Sequence, residues 1–143
     1  MDHYDYVLNP DEEKILHKAI ALDKKGRYKQ SNKILLPLAE KGSTLAQYHL
    51  GLSLYRKADY INAAKWFQIA ADKDCLEAFF YLAVLYKVGA GLEYNPEKAL
   101  DIAKYLSDYA FKKKSVDALM ISLEIRDICR DIDEGNIDTN YYR

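Results

Sequence analysis

The chain has 143 residues, a formal net charge of −1, 50% hydrophobic residues and 30% charged residues. This length and composition are typical of one globular domain with a sizeable buried core. A net charge so close to zero gives no strong field to attract nucleic acid or anionic lipid, so we expect neither as a partner. No apolar run reaches the roughly 18 residues that a membrane-spanning helix needs.

The first predicted elements are two helices within residues 10–41. Pro10 fits the first turn of a helix, and the acidic residues behind it favour the positive end of the helix dipole. Gly26 predicts the end of this helix, and the second helix then covers 28–41. Pro37 lies inside the second helix, where it should remove a hydrogen bond or bend the helix.

The rest of the chain predicts five more helices from apolar residues at helical spacing. Ser43 or Thr44 can cap the first of them, Asp59 opens the second, and Pro96 opens the fourth. The five helices are expected at about 44–57, 60–73, 75–88, 96–112 and 116–132.

A repeat with a period of 32 residues runs through the middle of the chain. A fixed period of this size predicts stacked helical hairpins, whose terminal copies are more polar. We therefore expect one domain with repeats at about 12–42, 43–74 and 75–114, a capping helix at about 115–133 and a polar tail at 134–143. The paired positions are Gly42 with Asp74, Ala46 with Ala78, Leu50 with Leu82 and Gly51 with Ala83.

The repeated positions follow a defined pattern of small residues, aromatics and a Lys-Ala pair. The pattern appears as Ala46, Leu50-Gly51, Asp59, Ala63, Trp66 and Ala70-Ala71, and then as Ala78, Leu82-Ala83, Tyr86, Gly89-x-Gly91, Asn95 and Lys98-Ala99. These residues resemble the Sel1-like repeat, a relative of the tetratricopeptide repeat. The short turn at Lys57–Asp59 lacks the glycine pair and is closer to a tetratricopeptide turn. The resemblance implies a short right-handed α/α solenoid that binds proteins or peptides.

The resemblance also implies a binding groove, lined by the first helix of each hairpin. Tyr and Arg anchor interfaces because they combine apolar area with a directional polar group. The alternative is that Tyr48 and Phe80 only fill the core between hairpins. The groove positions carried over from the tetratricopeptide repeat include Leu16, Ile20, Asp23, Lys24, Glu77 and Val84, and the candidate partner-binding residues are Tyr48, Leu52, Tyr55, Arg56, Phe80 and Lys87.

No group of residues in the sequence predicts catalysis. The two cysteines, Cys75 and Cys129, lie 54 residues apart and are expected as buried reduced thiols. Gly89-x-Gly91 lacks the preceding strand and the rest of a phosphate-binding motif. The chain has three histidines: His3, His17 and His49. They are too scattered in the sequence to predict a metal site or a catalytic triad. We therefore expect no enzyme activity, no metal and no cofactor.

The last predicted helix and the tail are acidic. Between Glu124 and Asp138 there are six acidic residues and two arginines. The simplest interpretation is a solvent-facing capping helix, and the alternative is a docking site for a basic partner.

Together these features predict a non-catalytic protein-interaction module, either monomeric or weakly dimeric. By analogy with other small repeat proteins, it could be a dedicated inhibitor such as a bacterial immunity protein that neutralises a toxin. An adaptor or chaperone for a secreted protein fits equally well. A self-associating repeat, joined near Leu119 or the Lys14 and Lys18 face, is the structural alternative. The polar, acidic start MDHYDYVLNPDEEK lacks the features of a secretory signal, so we expect a cytoplasmic protein.

Overall fold

The computed structural model describes residues 8–139, and this part of the chain is all-helical. Every predicted helix is present, with ends that differ from the prediction by no more than two residues. Most of the predicted irregular lead and the end of the polar tail lie outside the described residues. The seven helices of the described part are α1 Pro10–Lys24, α2 Tyr28–Glu40, α3 Thr44–Arg56, α4 Tyr60–Ala71, α5 Leu76–Val88, α6 Pro96–Lys113 and α7 Val116–Asp133.

Polar side chains fix where most of these helices begin. The Ser43 hydroxyl accepts a hydrogen bond from the backbone N–H of Ala46 at 3.3 Å, which caps α3. Such a cap satisfies one of the backbone donors that a helix start leaves unpaired. Asp59 caps α4 in the same way, and the remaining side-chain caps are Asn9, Asn95 and Ser115.

The helix α2 continues through Pro37 to Glu40. Proline lacks a backbone N–H, so Pro37 removes one hydrogen bond to the preceding turn. The position is exposed and close to the end of α2, which limits the loss to one edge of the helix. The predicted loss of a hydrogen bond therefore does not end the helix.

The helices pack in sequence order, each against the next one along the chain. In addition, α1 contacts α3 and α5 contacts α7. One apolar core joins α1 to α5, centred on Phe67 and Leu85. A second core joins α5, α6 and α7 around Leu106 and Ile125. The chain is thus an all-α protein whose neighbouring helices form a continuous series.

Two glycines allow the close approaches that hold the middle of this series together. A Cβ atom at Gly51 in α3 would lie 2.7 Å from the ring of Phe67 in α4. A Cβ at Gly91 would collide with the backbone carbonyl of Tyr60, and Gly91 also has a φ of +70°. The loop after α5 can therefore cross the start of α4 only with glycine at this position.

Candidate partner-binding surface

An aromatic cluster lies where α3, α4 and α5 meet. Tyr81 is its centre, and its ring stacks on Phe67 with centroids 5.1 Å apart and planes 9° apart. Tyr55 and Phe80 approach the same ring edge-on, at 5.3 and 5.2 Å. Tyr48 completes the group, with its centroid 6.3 Å from that of Tyr81. We call these five residues the Tyr81 cluster.

The cluster is apolar in its rings and polar at the edge that the tyrosines supply. Burial raises the pKa of Tyr48 above its ordinary value, and the neighbouring Tyr81 and Glu77 raise it further. Burial also raises the pKa of Tyr81, although Arg56 lowers it in part. Both phenols therefore stay protonated at neutral pH. A protonated phenol can donate a hydrogen bond to a partner while its ring is in apolar contact.

A charged pair borders the cluster and connects α1 with α3. Asp23 is buried, and its carboxylate accepts a hydrogen bond from the Ser53 hydroxyl at 2.9 Å. The Arg56 guanidinium lies 3.7 Å from the same carboxylate, and the Arg56 side chain is 46% exposed. Asp23 therefore holds Arg56 at the edge of the cluster, where the guanidinium still has donors open to solvent.

His49 lies beside Tyr48 on α3, with ring centroids 5.2 Å apart. Burial lowers the pKa of His49 below its ordinary value of 6.5, and Arg56 lowers it further, whereas Asp23 raises it. The imidazole is therefore neutral at pH 7. A neutral His49 adds a hydrogen-bonding group to this face without adding charge.

Four of the predicted partner-binding residues belong to the exposed part of this face or to its edge. Tyr48, Tyr55 and Phe80 are half-buried, and Arg56 is exposed. Tyr48 and Phe80 each pack on a core, and each keeps some exposed surface. The structure brings Tyr48, Tyr55 and Phe80 together around Tyr81.

Two predicted residues, Leu52 and Lys87, are buried instead. Leu52 belongs to the apolar core. The Lys87 side chain is 5% exposed, and its Nζ lies 2.6 Å from a carboxylate oxygen of Asp133 at the end of α7. The ammonium group of Lys87 thus faces α7 rather than solvent, because α7 packs across α5. Leu52 and Lys87 therefore do not belong to the exposed surface.

Tyr81 and Glu124 belong to this face but were not predicted from the sequence. Glu124 on α7 is near enough to Tyr81 to raise the pKa of its phenol. Tyr81 follows His49 by 32 residues, so the repeat places both residues at one equivalent position. That equivalence is the sequence feature that could have identified Tyr81. No comparable feature exists for Glu124, because α7 departs from the repeat.

The described residues offer little for metal or thiol chemistry. Among residues 8–139, no three His, Cys, Asp or Glu side chains form a group that could hold a metal ion. His3 lies outside this range. Both cysteines are buried, as predicted, and burial raises the pKa of the Cys75 thiol to about 12. A protonated, buried thiol is a poor nucleophile.

The chain matches no protein-family model, no curated protein and no solved structure. The resemblance to the Sel1-like repeat thus depends on the residues quoted above. In addition, no helix within residues 8–139 is both long enough and apolar enough to cross a bilayer.

Proposed function

We propose that this chain is a short α/α solenoid of three Sel1- or tetratricopeptide-like hairpins with α7 as a capping helix. The 32-residue period supports this architecture, as do the sequence-order packing and the contacts between odd-numbered helices. In such a stack the odd helices line one face. Asp23, His49 and Arg56 belong to these odd helices, as do all members of the Tyr81 cluster except the buried Phe67 of α4.

We further propose that this face binds a protein partner and that the chain has no catalytic role. The observation that carries the proposal is the half-buried aromatic cluster bordered by an anchored, exposed Arg56. Tyr and Arg dominate interface energetics, since each buries apolar area while satisfying a polar group of the partner. The Asp23–Arg56 and ring contacts hold these side chains in place before binding, which reduces the entropy lost on association.

The proposed partner is a protein segment with apolar side chains and a carboxylate for Arg56. A dedicated inhibitor would act by covering the working surface of one target, as a bacterial immunity protein does with a toxin. An adaptor or chaperone would hold a secreted protein in the same way. We propose a cytoplasmic location for both. We also propose no nucleic-acid partner, because a net charge of −1 gives no strong field to attract a polyanion.

A pull-down from native lysate tests the proposal with wild type beside a Tyr55→Ala/Arg56→Ala variant. The matched control is Tyr94→Ala/Lys104→Ala, which removes an exposed tyrosine and an exposed cation elsewhere. We expect wild type and control to retain the same defined protein, and the Tyr55/Arg56 variant to lose it. Circular dichroism should show equal helicity in all three.

Two results would contradict the proposal. If the same protein binds wild type and the Tyr55/Arg56 variant equally, the odd-helix face is not the binding surface. If the purified chain turns over a substrate, the non-catalytic assignment is wrong.

A further inference from the structure

The end of the chain carries an exposed apolar surface that the proposed binding face does not use. Phe111 in α6 is 88% exposed, and Val116 and Met120 in α7 are 68% and 59% exposed. Leu119 and Leu123 lie on the same side of α7, since residues spaced by three and four share one face of a helix. We call these five residues the α7 face.

The α7 face cannot be buried by a simple rotation of α7. The opposite side of the helix is already fixed, because Ala118 and Ile125 pack in the second core. The Ser122 hydroxyl donates a hydrogen bond to the backbone carbonyl of Ala103 at 2.7 Å. Ser122 also lies 2.6 Å from the hydroxyl of Ser107. These polar contacts set the rotation of α7, and the exposed stripe is the result.

The first half of α7 faces solvent, but with apolar side chains. Terminal repeats normally present a polar outer surface. Here Asp117 is the one acidic residue in the first half of α7, and the other acidic residues follow the apolar stripe from Glu124 onward. A groove of about 630 Å³ opens between Phe111 and Leu119 beside the stripe. Contiguous exposed apolar surface with a groove is typical of an interaction site.

The other end of the chain is a poor match for the α7 face. Exposed lysines occupy the outer side of α1 and α2, namely Lys14, Lys18, Lys29 and Lys33. Stacking the two ends head to tail would bury apolar side chains against ammonium groups, which is unfavourable. Pairing two α7 faces would bury apolar against apolar, and this pairing closes after two copies.

The charges along the chain fit such a pairing. Three exposed lysines, Lys112 to Lys114, lie at the turn just before α7, and Glu124 and Asp127 are exposed in its second half. If two α7 helices pair antiparallel near Met120, the lysines before one α7 face the acidic second half of the other. Val116 then lies beside Leu123 of the second copy. We propose that the chain forms a two-fold symmetric dimer through the α7 face, with the lysines before each α7 facing the acidic residues of the other copy.

Sedimentation velocity over a range of concentrations tests the dimer directly. The chain mass is 16.5 kDa, and we expect wild type to reach twice this mass. Met120→Glu/Leu123→Glu should raise the dissociation constant by more than tenfold, since both side chains are exposed in the single chain. The matched control is Ile61→Glu, because Ile61 is 62% exposed and lies on α4. We expect this control to dimerise like wild type.

Charge reversal tests the antiparallel arrangement of the two α7 helices. Lys113→Glu and Asp127→Lys should each weaken the dimer, because each places like charges together. The double variant Lys113→Glu/Asp127→Lys restores opposite charges and should recover most of the wild-type dissociation constant. If each single substitution weakened the dimer only by disturbing its own helix, the double variant would be weaker than either. Lys113 and Asp127 lie in different helices of one chain, so a recovered dissociation constant indicates that the charges interact between copies.

Three outcomes would overturn the proposal. Wild type could remain a monomer at millimolar concentration. The dimer could persist unchanged in the Met120/Leu123 variant. The mass could rise without limit, which indicates head-to-tail stacking. Each result is independent of the pull-down above, because the α7 face and the Tyr81 cluster share no residue.

Discussion

The Phe67 ring occupies the space in which any residue other than glycine at position 51 would place its Cβ. The ideal Cβ position lies 2.7 Å from two carbons of the ring. Contact at this distance is far inside the ordinary van der Waals separation of carbon atoms. The close packing of α3 on α4 therefore depends on the missing side chain.

Gly51→Ala should lower the free energy of unfolding by about 1–3 kcal/mol, because overpacking forces Phe67 to move. This is opposite in sign to the usual gain of about 1 kcal/mol when alanine replaces glycine inside a helix. Urea unfolding followed by circular dichroism measures the change. Phe67→Leu is the partner variant, and the double variant should lose less stability than the sum of the two single changes. A stabilised Gly51→Ala would show that the ring moves aside freely.

Asp133→Ala should destabilise the attachment of α7 to α5. The substitution leaves the buried ammonium of Lys87 without the carboxylate that lies 2.6 Å away. Because Asp133 itself is largely exposed, water replaces part of the contact, and we expect a loss of about 1–2 kcal/mol. Lys87→Met/Asp133→Ala removes both charges and should be closer to wild type in chemical denaturation. If Asp133→Ala has wild-type stability, the ion pair does not contribute to the attachment.

The two native thiols should be unreactive until the chain unfolds. Cys75 is buried, and its pKa is raised to about 12. At pH 8 the thiolate fraction of Cys75 is then about one in ten thousand. Burial likewise raises the pKa of Cys129. A colorimetric thiol reagent at pH 8 should label the native chain at least about 100-fold more slowly than the denatured chain. Lys104→Cys places a thiol on the exposed side of α6 and is the positive control. Rapid labelling of two thiols in native wild type would contradict this prediction.

His49 should make the protein less stable in mild acid. Its pKa in the folded chain is below the value of 6.5 that it has when unfolded. Between these two values the unfolded chain binds more protons, so the free energy of unfolding decreases as the pH falls below about 6.5. His49→Gln should reduce the slope of stability against pH in this range. His17→Gln changes an exposed histidine and is the matched control. Equal slopes in wild type and His49→Gln would show that His49 does not cause the effect.

The helices were predictable because their causes are local. Apolar spacing and capping residues such as Ser43 and Asp59 act within a few residues of where they lie. The need for a small residue at position 51 was also predictable, because the repeat aligns Gly51 with Ala83. The sequence did not show that Gly51 receives the Phe67 ring in particular, because that depends on the angle between α3 and α4.

The candidate site was only partly predictable, because some of its features depend on contacts between distant helices. Tyr48, Tyr55, Arg56 and Phe80 follow from repeat positions. The burial of Lys87 does not, because its partner Asp133 is 46 residues away and lies on a helix outside the repeat. The exposure of Met120 depends on the rotation of α7, which the Ser122 contacts determine. Helical spacing alone gives the same apolar pattern for either side of the helix.

The sequence-order packing of the helices has a consequence for folding kinetics. Most contacts join helices that are adjacent along the chain, so little loop entropy is lost before a contact forms. Proteins with such local contacts fold in microseconds to milliseconds. The outermost helices have neighbours on one side, and their amide hydrogens should exchange with solvent sooner than those of α3 to α5. A dimer formed through α7 would slow amide exchange at that end alone. Local unfolding would then be more frequent at the α1 end of the chain than at the α7 end.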